Sequence, residues 1–335
     1  MLLDLYLHSF FGAPKIPFHS VHQIEQNTPN IIIWAAPVMF FFVLLEWYLS
    51  RKQNKHLYEK KDTIGSIAVG VGNVIINFFL KLSIFYLIVL IYNWIPWRFP
   101  LAWWTFIPCY LIFDFCSYWA HRISHSKRFW WATHVVHHSS ENYNLTVSFR
   151  LSWVQNLKII FFLPVAFIGF HPIIFFVTSQ IAVLFQFWVH TEYIRKIHPV
   201  IEYIFATPSN HRVHHGAQDK YINKNFGATF IFWDRMFGTF QPEEEQAVYG
   251  LTHNIEEKAN PLVLNFHEYA DMWEDIKSTR SWRRKLFYIF GDPVEIARQK
   301  KKDNVRKMET SSTAKSSRAT RDNENNGDGV QKKAI

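Results

Sequence analysis

HRISHSKRFWWATHVVHH, residues 121–138, places five histidines in eighteen positions, directly after an apolar run (101–120) whose only charge is Asp114. HRVHH at 211–215 repeats the spacing of HVVHH at 134–138. Positions i, i+3 and i+4 share one face of a helix. His134, His137 and His138 are therefore expected to converge, as are His211, His214 and His215 and, at i and i+4, His121 and His125. Eight imidazoles gathered together would repel if protonated and be poorly satisfied if neutral and buried. A metal takes neutral imidazole nitrogen as its ligand and resolves both difficulties. A ninth, His190, ends another apolar run in QFWVHTE. Nine exceed what one first-row metal takes, whereas two metals with about four imidazoles each account for them. Imidazole suits zinc, copper, iron and nickel alike. A structural zinc site would usually bring cysteine, and soluble di-iron bundles use Glu-x-x-His; here nitrogen replaces most of that oxygen.

The rest of the chain says where such a centre would sit. Of 335 residues, 18% are aromatic and 19% charged, but the charge is unevenly spread. Residues 31–48 carry only Glu46, and 159–189 hold two apolar runs split at GFHP (169–172). Residues 63–92 are apolar apart from Asn73, Asn77 and Lys81. One such run could be a core helix. Several, with Trp34, Trp47, Trp94, Trp97, Trp103, Trp104 and Trp188 near their ends, read as a polytopic membrane protein. The expected fold is all-α, a membrane helical protein of four to five spans, taken as 31–50, 65–93, 101–121, 153–170 and 172–191, with a cytoplasmic helical cap. The net charge of +9 comes from basic residues flanking these spans, among them Arg51, Lys52, Lys55, Lys60 and Lys61; it is a topology signal, and no nucleic-acid partner is implied. With the 51–61 loop in the cytoplasm, all three histidine clusters and His190 fall on that same side.

Four regions follow: an N-terminal segment (1–30) without the pattern of a cleavable signal, transmembrane helices with the first two clusters (31–192), a catalytic cap with the third (193–297), and a disordered basic tail (298–335). The tail ends KKAI, resembling an endoplasmic-reticulum retrieval signal. Residues 266–290 read as a helix packed on the cap near the lipid surface. Cys109 and Cys116 lie within one span as packing residues. His8, His19, His22, His56 and His171 read as polar or interfacial, His253 and His267 as surface, and His198 closely follows the fifth span.

Three clusters of this kind after apolar helices resemble the fatty acid hydroxylase and sterol desaturase superfamily of membrane di-iron oxygenases, over roughly 60–245. The resemblance extends to the flanks. DFCSYWAHRISHSKRFWWATHVVHHSSENYNLTVSFR, QFWVHTE, TPSNHRVHHG and NKNFGATFIFWDRMFGTF are most similar to the alkylglycerol monooxygenases, which cleave ether lipids by hydroxylating the carbon beside the ether oxygen. It implies two non-haem irons, O2, a membrane lipid substrate and a separate electron donor: tetrahydropterin or an external cytochrome b5-like or ferredoxin-like carrier. Ser126 departs from that pattern, which often has Glu directly after the HxxxH cluster. Sterol and fatty acid hydroxylases or desaturases of the same superfamily remain the alternative, and a catalytically dead, lipid-binding relative a further one. From another class comes a histidine-rich membrane metal transporter, although transporters place ligands mid-membrane on broken helices. The chain has no dinucleotide fingerprint, since GVG at 70–72 lies within an apolar run, and no haem-attachment motif. The expected location is the endoplasmic reticulum in a eukaryote or the cytoplasmic membrane in a bacterium.

Spacing also nominates supporting residues. Asp114, seven before His121, is expected on the same helix face, accepting a ligand histidine's distal N–H. Glu141 and Asn144 are nominated as catalytic, with Arg150 beside them. Gln186 and Glu192 flank His190, and Asp234 is placed either at the site or in the fold of the cap.

Overall fold

The structure, a computed structural model, describes residues 11–303, 305 and 306. Among these it is all-helical; outside the helices there are only two isolated bridges, Gly12 with Arg98 and Phe205 with Phe230. Helix α1 spans Ile31–Lys52 and is capped by Asn30, whose side chain accepts from the Ile33 amide at 3.3 Å. Helix α2 spans Lys60–Trp94, with Glu59 capping the Lys61 and Asp62 amides. Both carry large apolar side chains turned outward, Trp34 83% exposed and Phe78 77%. A soluble protein would bury them; a lipid-facing surface leaves them where they are.

Among the described residues, two regions, Phe18–Lys52 and Lys60–Trp94, are long and apolar enough to cross a membrane by length and composition. Helix α3, Phe106–Ser126, follows. The fourth and fifth expected spans are shorter than anticipated. Gln155–Phe162 is a 3-10 helix running into an α-helix to Ile168, and α5, Pro172–Phe185, has 14 residues. Fourteen residues reach about 21 Å, short of a hydrocarbon core of about 30 Å. Gly169 at φ +96° turns the chain between them, and Pro172 opens the next helix. The hairpin packs on α2 and α3 through Ile88, Phe113, Val165, Phe170 and Phe175, with Cys109 and Cys116 in the same core. GVG is explained here too: a Cβ at Gly72 would come within 2.4 Å of the Trp153 ring, so glycine lets that ring lie against α2.

Helix α2 has 35 residues, about 52 Å, more than a bilayer's hydrocarbon core requires. Its N-terminal turns carry a polar network. Asp62 binds Arg150 (Oδ1 to Nη2, 2.5 Å) and the Ser140 hydroxyl; Arg150 also donates to Ser66 and Ser139, each at 2.8 Å. Arg150 is fully buried. Glu46, the one charge in the first apolar run, accepts from Tyr58 (2.5 Å), the Leu145 amide (2.8 Å) and the Thr191 hydroxyl. These two acids therefore tie α1 and α2 to the chain on either side of the histidine-bearing segments.

Beyond the hairpin come α6, Pro208–His215, then α7, Pro261–Lys277, and α8, Trp282–Phe290. The single helix expected over 266–290 is thus two, broken around Ser278. Arg128 grips α7 through Glu268 and Asp275, both at 2.6 Å. Residues 293–303 are helical, so the stretch from 298, expected to be disordered, begins as helix. Lys300 pairs with Asp275 at 2.8 Å and Asp303 with Arg284, which gives those charged residues folded partners. Residues 1–10, 304 and the rest of the tail, including KKAI, lie outside the described residues.

Removing Asp62 alone would strand a buried guanidinium. Asp62→Ala is expected to cost about 3–5 kcal/mol, and the double variant Asp62→Ala/Arg150→Met distinctly less. Thermal unfolding of the purified protein in detergent measures the difference.

Candidate metal centre

Nine histidines meet in two adjoining groups. His121, His125, His134, His138 and His214 form one, and His137, His190, His211 and His215 the other; within each, the candidate ligand nitrogens all lie within 4.8 Å of one another. His121 and His125 stand one turn apart at the end of α3. His134 precedes the one-turn helix α4, Val135–His138, with its own φ at −130°, so HVVHH is only partly helical. HRVHH lies wholly in α6, which Thr207 and Pro208 start, and every residue of α6 is buried. His190 follows α5.

The expected convergence is real, but the pairing differs from that expected. Each HxxHH motif is divided. His134 and His138 go to the first group and His137 to the second; His211 and His215 go to the second and His214 to the first. Residues at i and i+4 project almost alike, while i+3 is rotated from both. Each motif, lying between the groups, serves both.

Backbone carbonyls orient three of the rings. His121 Nδ1 lies 2.8 Å from the Phe226 oxygen, His190 Nδ1 2.7 Å from Gln186 and His214 Nδ1 2.9 Å from Lys224. A carbonyl only accepts, so each of these Nδ1 atoms carries the proton and each neutral ring turns an Nε2 lone pair inward. Those nitrogens face further ring nitrogens: His190 Nε2 to His211 Nε2 at 3.0 Å, and His214 Nε2 to His138 Nε2 at 3.1 Å. His121 Nε2, His125 Nε2, His137 Nδ1 and His215 Nε2 are buried with no hydrogen-bond partner. Leaving a buried polar atom unsatisfied costs about 1–3 kcal/mol, and inward lone pairs in a dry pocket are what a cation satisfies. The donor set fits metal ions. Burial pushes His134, His137, His138, His211 and His215 well below the usual histidine range and His214 down to about 4; neighbouring rings add to this at His137, His138, His211 and His215. The rings are thus held neutral, the form that ligates.

The nominated acids and amide make their hydrogen bonds and ion pairs away from the histidine rings. Asp114 is fully buried, but it accepts from the Thr229 and Phe230 amides (2.8 and 3.2 Å) and the Trp233 indole (3.0 Å) rather than from a ring N–H. A carboxylate facing several amide donors is held there by them. Glu141 pairs with Lys258 at 2.8 Å on the rim of a polar cavity. Asn144 caps the 3-10 helix Leu145–Phe149 and donates to the Leu57 carbonyl at 2.7 Å. Arg150 belongs to the Asp62 network, and Glu192 accepts from Tyr249. Gln186 supports His190 through its main chain, not its side chain.

Asp234 supports the cap. Its carboxylate takes the Phe226 and Gly227 amides, both at 2.7 Å, and the Thr239 hydroxyl at 2.6 Å. That fixes the loop whose carbonyls orient His121 and His214. Asn223 and Asn225 hold positive φ there, and the Asn225 amide group bridges the Asn210 and Gln241 carbonyls. Sequence reasoning missed Lys224 and Phe226 because their contribution is a main-chain oxygen; the Asn-Lys-Asn spacing, favourable to a left-handed turn, was the available signal. It also missed Tyr143, whose ring packs on His215 (centroids 5.2 Å) and stacks on Tyr249 (4.7 Å).

Residues 106–239, enclosing all nine histidines, match the family model described as fatty acid hydroxylase. The chain is 37% identical over 286 residues to the alkylglycerol monooxygenase of Homo sapiens, covering 83% of this chain and 62% of that protein. Against the Xenopus tropicalis alkylglycerol monooxygenase it is 36% identical, covering 80% and 60%, and against that of Danio rerio 34%, covering 83% and 62%. The chain spans about 60% of the length of these curated relatives. No solved structure matches it. The matched region begins at α3 and ends at Thr239, the residue that closes the Asp234 clasp.

Asp234→Ala should free two buried amides and loosen the carbonyls behind His121 and His214. A loss of about 1–3 kcal/mol in stability is expected, with faster amide exchange over 223–227 in the metal-free protein, while Asp234→Asn should lose less.

Proposed function

We propose that this chain is an integral membrane non-haem di-iron oxygenase that hydroxylates a lipid C–H bond with O2, and that its substrate is an alkylglycerol ether lipid. The observation that carries this reading is the pair of adjoining all-histidine groups at the ends of apolar helices, in a chain resembling alkylglycerol monooxygenases across most of its length. His121, His125, His134, His138 and His214 would hold one iron, and His137, His190, His211 and His215 the other. When bound, the irons supply oxygen activation.

The chain's own residues hold, orient and dry the site. The Phe226, Gln186 and Lys224 carbonyls fix three ring tautomers. The rings of Trp131, Tyr143 and Phe226 pack against histidines of the two groups and exclude water. The substrate enters by its hydrocarbon chain from the bilayer, and the reacting carbon is the one beside the ether oxygen. Electrons come from tetrahydropterin or from a carrier protein of cytochrome b5-like or ferredoxin-like type. The histidine groups face the cytoplasm, with 31–192 as the membrane part and 193–297 as the cap. The membrane is the endoplasmic reticulum in a eukaryote and the cytoplasmic membrane in a bacterium.

Ser126 favours a second reading. It stands where the alkylglycerol pattern often has Glu, and its hydroxyl turns back to the Ile123 carbonyl of its own helix at 3.4 Å. A sterol or fatty acyl hydroxylase or desaturase with the same histidine arrangement is that alternative. A metal transporter is the reading from another class.

Purified protein should contain two irons per chain and take up O2 only when a substrate lipid is present. His137→Ala and His138→Ala should each lower iron content, and activity should fall by at least about 100-fold on loss of either ligand. Alkylglycerol cleavage with tetrahydropterin would support the leading reading. Turnover of sterol or fatty acid with alkylglycerol left intact would replace it with the second, and exchangeable metal without oxygen uptake would favour transport.

A further inference from the structure

Two helices at the edge of the cap present apolar faces that no other described residue covers. On α8, Trp282, Leu286 and Phe290 recur every fourth residue and so lie along one face; they are 74%, 51% and 51% exposed. On α7, Leu262, Phe266 and Trp273 follow a similar helical spacing and are also exposed. The opposite sides are anchored: Tyr288 is buried, Arg128 binds Glu268 and Asp275, and the Arg128 amide donates to the Gly291 carbonyl at 3.0 Å. The exposed stripes are therefore faces of docked helices.

Two observations say what covers them. The first is continuity. Phe266 meets Trp153 edge-on (centroids 6.2 Å), just ahead of the apolar 155–168 segment. Phe290 meets Phe129, and the adjacent Trp130 meets Phe161 within that segment (4.7 Å). The stripes thus extend the surface of the apolar hairpin. The second is charge. Arg280, Arg283 and Lys285 flank the α8 stripe, Lys285 lying 5.8 Å from the Trp282 ring centre. Among nearby acids, Asp303 is taken by Arg284, Glu274 by Lys277 and Asp275 by Arg128 and Lys300, and Asp271 is exposed on α7. An apolar stripe with a tryptophan at one end and basic residues alongside is the pattern of a helix lying in a bilayer's interface, and a polybasic margin beside it is drawn to anionic lipid.

We infer that α7 and α8 form an interfacial platform that rests on an anionic phospholipid leaflet and sets the height of the histidine-bearing cap above the hydrocarbon. The inference concerns how the cap meets the bilayer and stands whether or not the proposed chemistry is correct.

The test uses single spin labels on the full chain in nanodiscs of phosphatidylcholine, with and without phosphatidylserine. Labels are attached through Trp282→Cys, Leu286→Cys, Phe290→Cys or Arg283→Cys in a Cys109→Ser/Cys116→Ser background. With phosphatidylserine, labels at 282, 286 and 290 should collide with O2 in preference to a water-soluble nickel chelate, at a depth of about 5–10 Å, while the label at 283 should show the reverse. The triple variant Arg280→Glu/Arg283→Glu/Lys285→Glu should move the 286 label toward water only when phosphatidylserine is present. Preferential nickel contact at 286 would overturn the inference. Shielding from both probes would mean that protein covers the face and would overturn it too. Depths that ignore phosphatidylserine and charge reversal would overturn the anionic preference. Hydrogen exchange over 282–290 in the wild-type chain reads the same point without substitution: slowing on addition of phosphatidylserine is expected, and an unchanged rate would count against the platform.

Discussion

The carbonyls of Phe226, Gln186 and Lys224 each accept a hydrogen bond from a histidine Nδ1–H, and much of this molecule can be understood as the means of holding those three oxygens still. Each bond commits a buried ring to one tautomer and turns its other nitrogen toward further imidazoles. Ring nitrogens 3.0 to 3.3 Å apart, far from water, form a stable arrangement only with a shared proton or a cation between them. Asp234 clamps the loop bearing two of the oxygens, and Asp114 holds the segment that follows it. These two acids thus support backbone, which in turn supports the rings.

Much of this was legible in advance. Apolar runs announced helices, and histidines at i, i+3 and i+4 announced convergence, including His190 at the end of its own run. Which ring joins which group was not legible, because it depends on how α4 and α6 are rolled relative to α3. The hydrogen bonds that Asp114 and Asn144 make were not legible for a related reason. Spacing on one helix shows which residues share a face, but not which amides from a distant loop reach that face first. The lengths of the fourth and fifth apolar helices were not legible from hydropathy: 155–168 and 172–185 are shorter than the apolar runs that contain them.

Polar residues inside apolar helices proved to be joints. Glu46 and Asp62 connect α1 and α2 to the segments around Leu145, Thr191, Ser140 and Arg150, so the membrane part and the histidine-bearing part share a buried hydrogen-bonded seam. Such a seam is costly to break one residue at a time. It explains why acids occur in helices that otherwise face lipid.

The division of each HxxHH motif has a mechanical consequence. A short helical segment that feeds rings into two nests at once acts like a gear tooth engaged on both sides: rolling it to close one nest opens the other. The gap between the nests is then set by the girth of a polypeptide turn, a dimension that loop length or side-chain choice elsewhere cannot retune. Any substance bridging the nests would meet a fixed jaw, and insertions in the surrounding loops would leave its bite unchanged.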